Sequence, residues 1–396
     1  MLDTPAALLP TEAKTSAQIL AALVGFDTVS RNSNLPLIDW VEAYLAAHGV
    51  ASERVFDETG EKANLWATIG PAQGEGVILS GHTDVVPVDG QDWATDPFTL
   101  VEKDGKLYGR GSADMKGFVA CCLAKVPAMV AARLSRPIHL AFSYDEEVGC
   151  LGVKTLIAAL APREVRYAAC FVGEPTSMQV VTAHKAKRSY RARFTGLASH
   201  SSLAPHGVNA VTYGARLVRY MEEAAERLGA GPCDELFDVG VSTAHVGVFE
   251  GGAALNIVPE TARVDFEFRI LPSEDIDAEA DKVTAFVAGL DAEMKARAPR
   301  CGATLTELSA IPGLDTAPEA PVTVLAKRLA ERNDHGKVAF GTEGGRFSEG
   351  LHVPTVVVGP GSIDQAHKAD EFIEIAQLGT CEAFLDRVIS YCERAA

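Results

Sequence analysis

Long apolar runs are missing from this 396-residue chain. None approaches the ~18 consecutive residues that a membrane-spanning helix needs, which argues against a membrane protein. Met1 to Lys14 hold two acids and no early basic cluster, so no export signal is expected either. Positive charge is also scarce. Lys and Arg number 36 against 53 Asp and Glu, a formal charge of -17, and clusters such as Lys185-Ala186-Lys187-Arg188 are short and not interleaved with aromatics. That excludes a nucleic-acid backbone as partner, and the acidity reads chiefly as a solubilising surface. The eight cysteines (Cys121, Cys122, Cys150, Cys170, Cys233, Cys301, Cys381, Cys392) lack CxxC pairing and mostly sit in apolar stretches. Buried thiols in a reducing cytoplasm are therefore expected rather than disulfides. Solenoid repeats and low-complexity tracts are absent too.

What is present is an alternation. Helical patterns at Ala17 to Phe26 and Leu37 to Ala47 precede apolar runs at Gly76 to Ser80, Ile138 to Tyr144 and Ala168 to Val172. Near-continuous apolar strands separated by helices imply a sheet covered on both faces, hence an α/β fold. The style then changes. From Arg263 to Ile270 apolar and charged residues alternate strictly, as in an antiparallel strand with one wet side. Together with helices at Asn209 to Leu228 and Ser273 to Ala296, this stretch reads as an inserted α+β unit. The first style returns with a helix at Pro321 to Arg332, a buried strand at Thr355 to Val358 and a closing helix from Ile375 to Arg394. The expected domains are 1–185 and 305–396, forming one discontinuous unit, and 186–304.

In open α/β sheets, sites form outside the carboxyl ends of the strands. His82 and Asp84 follow the first apolar run, Asp145-Glu146-Glu147 the second, Gly173-Glu174 the third, and Gly359-Pro360-Gly361 leads from the last to His367. Asp114 adds a fifth position, where Gly109-Arg110-Gly111-Ser112-Ala113 runs into an amphipathic helix starting near Met115. A lone acid or histidine is most often an ordinary surface group, so the joint placement carries the argument. Carboxylates meeting about 4 Å apart repel by roughly 4 kcal/mol per pair at an effective dielectric of 20, and cations or protons must neutralise them. Imidazole and carboxylate without thiolate suit zinc, cobalt or manganese better than calcium, and a carboxylate bridging two ions is the usual hydrolytic arrangement. Asp84 can leave the same side of extended backbone as His82 and accept its second N–H; the alternative is a turn-forming Asp. Glu146 and Glu147 diverge, so one can ligate while the other acts as general base, and spacing does not say which. Asp145 reads as a turn or cap residue.

Ser80-Gly81-His82-Thr83-Asp84-Val85-Val86-Pro87, Gly109 to Gly117, Glu146-Glu147, Gly173-Glu174-Pro175 and the late His367 resemble, in order and over essentially the whole chain, the motif series of a co-catalytic zinc family of aminoacylases and carboxypeptidases. That family includes acetylornithine deacetylase and succinyl-diaminopimelate desuccinylase. The resemblance implies a zinc-peptidase-like mixed sheet flanked by helices, an inserted α+β lid or dimerisation domain, and a homodimer through that lid. It implies His82 and Glu174 on one ion, Glu147 and His367 on the other, Asp114 bridging, Glu146 as general base and Asp84 as partner of His82. Gly196-Leu197-Ala198-Ser199-His200-Ser201-Ser202 resembles the segment whose histidine stabilises the oxyanion; from the residues alone His200 is merely exposed and polar. Asn256 and Arg269 match lid positions that approach a substrate carboxylate, a task suited to the Arg fork, although Arg269 also reads as a solvated charge. Thr342-Glu343-Gly344-Gly345-Arg346-Phe347 lacks the Lys-Ser/Thr ending of a phosphate loop and precedes a predicted strand. It resembles the family's substrate-pocket loop, which makes Arg346 a substrate-binding candidate. With Gly359 to Glu371, it resembles acetylornithine deacetylases more than desuccinylases.

The expected function is metal-dependent hydrolysis of a small N-acyl amino acid, N2-acetyl-L-ornithine first, yielding L-ornithine and acetate as in arginine biosynthesis. Two divalent ions, zinc or alternatively cobalt, are the expected cofactors. The alternatives are a desuccinylase, another N-acyl amino-acid hydrolase or dipeptidase, and a metal-dependent binding protein without catalysis. An acid left unligated beside the ligands favours an enzyme over the last.

Overall fold

The apolar runs form strands because their residues are buried on both faces, and the intervening helices supply the covering layers. The computed structural model describes residues 9–12, 14–163 and 165–394. In chain order it contains α1 (Ser16–Val24), α2 (Leu35–Ala47), β1 (Ser52–Phe56), β2 (Ala63–Ile69), β3 (Gly76–His82), β4 (Val101–Lys103), β5 (Lys106–Tyr108), α3 (Lys116–Ala131), β6 (Ile138–Ser143), α4 (Gly152–Leu160), β7 (Tyr167–Val172) and β8 (Val181–His184). There follow β9 (Ala186–Thr195), α5 (Ala210–Gly229), β10 (Thr243–Gly251), β11 (Thr261–Ile270), α6 (Ile276–Arg297) and β12 (Gly302–Ile311). The chain closes with β13 (Leu314–Asp315), α7 (Pro321–Ala330), β14 (Gly336–Val338), α8 (Gly344–Leu351), β15 (Thr355–Val357), β16 (Phe372–Glu374) and α9 (Ile375–Glu393). Contacts divide it into two units, one running to Ala183 and including Leu314–Gly336 and the chain from Thr342, the other comprising His184–Gly313 and Lys337–Gly341.

In the first unit a mixed sheet runs β1-β2-β6-β3-β7-β15-β8-β13. Its centre is parallel: β6, β3, β7 and β15 all point the same way, so their carboxyl ends share one edge. Every residue of β3 and β6 is buried, as a strand covered by helices on both sides requires. Helix α1 starts on a capping box in which the Thr15 hydroxyl accepts from the Gln18 amide while Gln18 accepts from the Thr15 amide. Helix α3 is amphipathic, as expected after Met115, only in its second half, where Val126 and Met129 are buried and Pro127, Ala128 and Val130 exposed. Its residues from Lys116 to Leu123 are all buried, because it packs against α1, α9 and β3.

The second unit is an antiparallel sheet, β10-β11-β9-β12, with its core formed against α5 and α6. On β11, Ala262, Val264, Phe266, Phe268 and Ile270 face that core, while Arg263, Asp265, Glu267 and Arg269 lie on the other face. The charged face is knitted by pairs such as Arg191–Asp265 at 2.7 Å and Lys187–Glu267 at 3.3 Å. Helix α6 carries Asp277 and Glu279 in its first turn and Lys295 and Arg297 in its last, matching its dipole, with Asp275 as N-cap. The segment boundary expected at Thr304 lies inside β12, which pairs with β9 from Gly302 to Ile311 with one register shift between Glu307 and Ser309. Among the described residues no helix is long and apolar enough to cross a membrane.

Candidate metal centre

The parallel strands deliver their side chains to one edge. His82 is the last residue of β3 and pairs in register with Ser143, the last of β6; Glu146 and Glu147 follow three and four residues later. Glu174 lies just beyond β7, and the chain leaving β15 reaches His367. Asp114 comes from a loop pinned from the far end of the sequence. The buried Glu371 carboxylate accepts from the amides of Gly111 (2.9 Å), Ala113 (2.9 Å) and Asp114 (3.0 Å) and from Arg110 Nη1 (2.8 Å).

These groups converge. His82 Nε2 lies 3.1 Å from Asp114 Oδ1 and 3.9 Å from Glu174 Oε2, while His367 Nε2 lies 3.0 Å from Glu147 Oε2 and 3.4 Å from Asp114 Oδ2. Asp114 thus offers one oxygen to each imidazole. Ligand atoms of His82, Asp114 and Glu147 lie within 4.8 Å of one another, as do those of His82, Glu146 and Glu174. Glu174 Oε1 is buried with no hydrogen-bond partner among the described residues, an uncompensated acceptor that a cation would satisfy. Nitrogen and carboxylate oxygen without thiolate complete a donor set that fits divalent ions of the zinc and cobalt kind.

Electrostatics reflect the crowding of acids. Burial raises Glu146 to about 8 and Glu147 to about 7, with like charges adding to both and the imidazoles opposing. Glu174 is raised well above the carboxylate range, again chiefly by burial. Burial alone would lower His82, but Asp114 and Glu174 raise it, and hydrogen bonds to Asp114 and Glu147 lift His367 to about 10. Asp114 is buried too, yet the two imidazoles hold its carboxyl below the usual range.

Asp84 departs from its expected role. His82 Nδ1 donates to the main-chain carbonyl of Asp84 at 2.9 Å and stands 3.6 Å from the carboxylate. The carboxylate instead accepts from Ser30 Oγ (2.7 Å) and from the amides of Glu146 (3.0 Å) and Glu147 (3.3 Å), because those amides open the turn beside it. It therefore fixes the two glutamates as well as framing His82. Asp145 sits at positive φ and pairs with Lys62 at 2.6 Å.

The segment expected as a substrate-pocket loop is partly helical. Gly344, Gly345, Arg346 and Phe347 open α8, where the Thr342 hydroxyl accepts from the Gly344 amide and Phe347 is buried. Glu343, just before it, was not singled out by sequence reasoning. It is buried, accepts from Ser80 Oγ (3.1 Å) and Ser143 Oγ (2.5 Å), and is raised to about 7 by burial. Cys150 was noted only as a buried thiol, yet its Sγ lies 3.1 Å from Glu146 Oε1; burial and that carboxylate push the thiol well above its ordinary range. Glu371 likewise lay unassigned within a quoted motif.

In the second unit, His200 is exposed. Its Nδ1 accepts from the Ser202 amide at 3.2 Å, which leaves the ring proton on Nε2. The carbonyl of Asn256 accepts from the Ser201 amide at 2.9 Å, joining the two candidate segments. Arg269 is engaged rather than solvated: Nε donates to Glu267 at 2.8 Å and Nη1 to the Ala339 carbonyl at 3.4 Å.

The model of peptidase family M20/M25/M40 matches residues 78–391. The chain belongs to this family. Among its relatives is an acetylornithine deacetylase of Myxococcus xanthus, 35% identical over 380 residues, covering 94% of this chain and 96% of that one. The fold is that of an M20 metallo-carboxypeptidase, Sso-CP2 of Sulfolobus solfataricus, with a TM-score of 0.75 at 17% identity, covering 96% of this chain and 99% of that one. It is also that of Bacillus subtilis YXEP, described as a dinuclear metal binding peptidase, with a TM-score of 0.62 at 12% identity, covering 95% and 98%. As an M20 protein the chain is a metal-dependent enzyme that hydrolyses amide bonds.

Proposed function

We propose that this M20 enzyme hydrolyses N-acyl amino acids, with N2-acetyl-L-ornithine as the principal substrate and L-ornithine and acetate as products, a step of arginine biosynthesis. The carrying observation is the meeting of His82, Asp114, Glu147, Glu174 and His367 at the sheet edge, with Glu146 beside them. The named relative at 35% identity supports the acetylated substrate.

In this reading His82 and Glu174 hold one divalent ion, Glu147 and His367 the other, and Asp114 serves both. When bound, such ions supply Lewis acidity that acidifies a water and polarises the acyl carbonyl. Glu146 accepts the attacking water's proton and returns it to the departing amine. Asp84 holds its main chain in place. His200, protonated on Nε2, is suited to donate to the developing oxyanion. Asn256, Arg269 and Arg346 are the proposed contacts to the substrate's charged ends. We also propose zinc as the resident metal, with cobalt as an active substitute, a cytoplasmic location, and a homodimer through the second unit.

The test is a panel of acetylornithine, succinyl-diaminopimelate and other N-acyl amino acids on metal-loaded protein. Acetylornithine should give the highest kcat/KM; a preference for a succinylated or dipeptide substrate overturns the assignment. Glu146→Gln should lower kcat by roughly 100- to 10,000-fold while metal content is retained.

A further inference from the structure

We propose that Cys150 is a positioning residue for the reaction: its thiol holds the Glu146 carboxylate in the orientation that takes the water's proton. This deepens the reading of Glu146 as general base and rests on it. The thiol is buried and lies in direct hydrogen-bond contact with Glu146 Oε1 at 3.1 Å. Among the described residues it supplies the hydrogen bond that this carboxylate receives, since the Asp84 contacts go to main-chain amides.

The backbone around Cys150 makes a packing explanation inadequate. Its φ is +51°, in the left-handed region that favours glycine, and glycine stands at both nearby positions 149 and 152. The chain nonetheless keeps a side chain there, and an uncommon conformation retained at a site edge points to a use for that side chain. Nor is the thiol needed to hold the loop. The amides of Gly149 and Cys150 both donate to the Glu146 carbonyl at 2.8 Å, Leu151 donates to Asp145 at 3.0 Å, and Gly152 donates to Tyr144 at 3.1 Å. The main chain closes the turn by itself, and the thiol is left to restrain the glutamate. A glutamate side chain has three rotatable bonds, and a base must stay within reach of the proton it takes. The S–H is a weak donor, so it can steer the carboxylate without neutralising it.

The experiment compares Cys150→Ala, Cys150→Ser and Cys150→Gly in the full-length, metal-loaded enzyme, on whichever N-acyl amino acid it turns over fastest. Cys150→Ala should lower kcat roughly tenfold with KM and metal content within twofold of wild type, because the base is misplaced while binding is not. Cys150→Ser, which keeps a hydroxyl donor, should recover most of the lost kcat. Cys150→Gly suits the positive φ and keeps the test open should alanine there impair folding; its kcat should be as low as that of Cys150→Ala. Wild-type kcat in both the alanine and glycine variants, or a serine variant no faster than alanine, overturns the proposal. Glu146→Gln run in parallel separates the two readings. If it abolishes turnover while the Cys150 variants match wild type, only the positioning role falls; if it retains turnover, the base assignment falls and this proposal with it.

Discussion

Replacing Glu371 by Gln tests whether the Asp114 loop depends on a carboxylate that arrives from the other end of the chain. Arg110 and Glu371 are each 1% exposed, with Nη1 and Oε2 2.8 Å apart, and three main-chain amides share the same carboxylate. Burial holds the Glu371 carboxyl above its usual range even beside Arg110, but the guanidinium is buried with it, so removing the carboxylate strands a buried positive charge. Gln keeps the shape but leaves the guanidinium uncompensated and turns an NH2 toward groups that are themselves donors. Losing one partner of such a pair costs about 3–5 kcal/mol, and each kcal/mol lowers Tm by roughly 2–4 °C in a domain of this size class. A drop of roughly 6–20 °C is therefore expected. The Trp93 ring lies 5.0 Å from the Arg110 guanidinium and should report the change in fluorescence during urea unfolding. Divalent-metal affinity should fall by roughly 10- to 100-fold, because the Asp114 amide loses its anchor. Arg110→Met combined with Glu371→Gln should cost less than the sum of the single changes. Glu371→Gln unfolding within about 1 kcal/mol of wild type, with unchanged metal affinity, would refute the reasoning.

Three further outcomes follow from the same geometry. His139 is buried, stacked on Trp66, and lowered by burial to about 4 from 6.5. The unfolded chain binds this proton first as pH falls, so stability should drop by about 2 kcal/mol between pH 7.5 and 5, and His139→Gln should flatten that limb of the urea-unfolding profile. Metal binding at pH 6.5 should release about two protons, since His82, raised above 6.5, and His367, raised to about 10, hold protons there that ligation displaces; calorimetry in buffers of different ionisation heat reads this, and a buffer-independent heat contradicts it. A Cβ at Gly173 would stand 2.0 Å from the Phe118 ring, immediately before Glu174. Gly173→Ala should therefore destabilise by about 1–3 kcal/mol or more and weaken metal binding; wild-type thermal stability would contradict it.

The convergence of the candidate ligands could be read from the chain because parallel strands leave a plain trace: an apolar run followed at once by chemistry-bearing residues, as at His82, Glu146-Glu147 and Glu174. Strands of three residues, such as β14 and β16, leave no periodicity to detect. Residues that act through distant partners were not legible either. Glu371 serves amides more than 250 positions away, and Glu343 takes hydroxyls from two strands that sequence reading treated as plain apolar runs. Asp84 was placed in the right neighbourhood, but its carboxylate turned to main-chain amides, whose direction no side-chain pattern encodes. The first half of the helix after Met115 is buried all round, against the amphipathic expectation, because neighbours from both ends of the chain enclose it.

The parallel strand β15 joins the sheet beside β7 only after the whole antiparallel unit has been threaded between them in the sequence. During synthesis, then, His82, Asp114, Glu147 and Glu174 emerge long before His367 and Glu371 can reach them. The candidate metal centre is a late event in biogenesis, and a nascent or truncated chain has to keep its cluster of acids protonated or solvated until the final segment arrives.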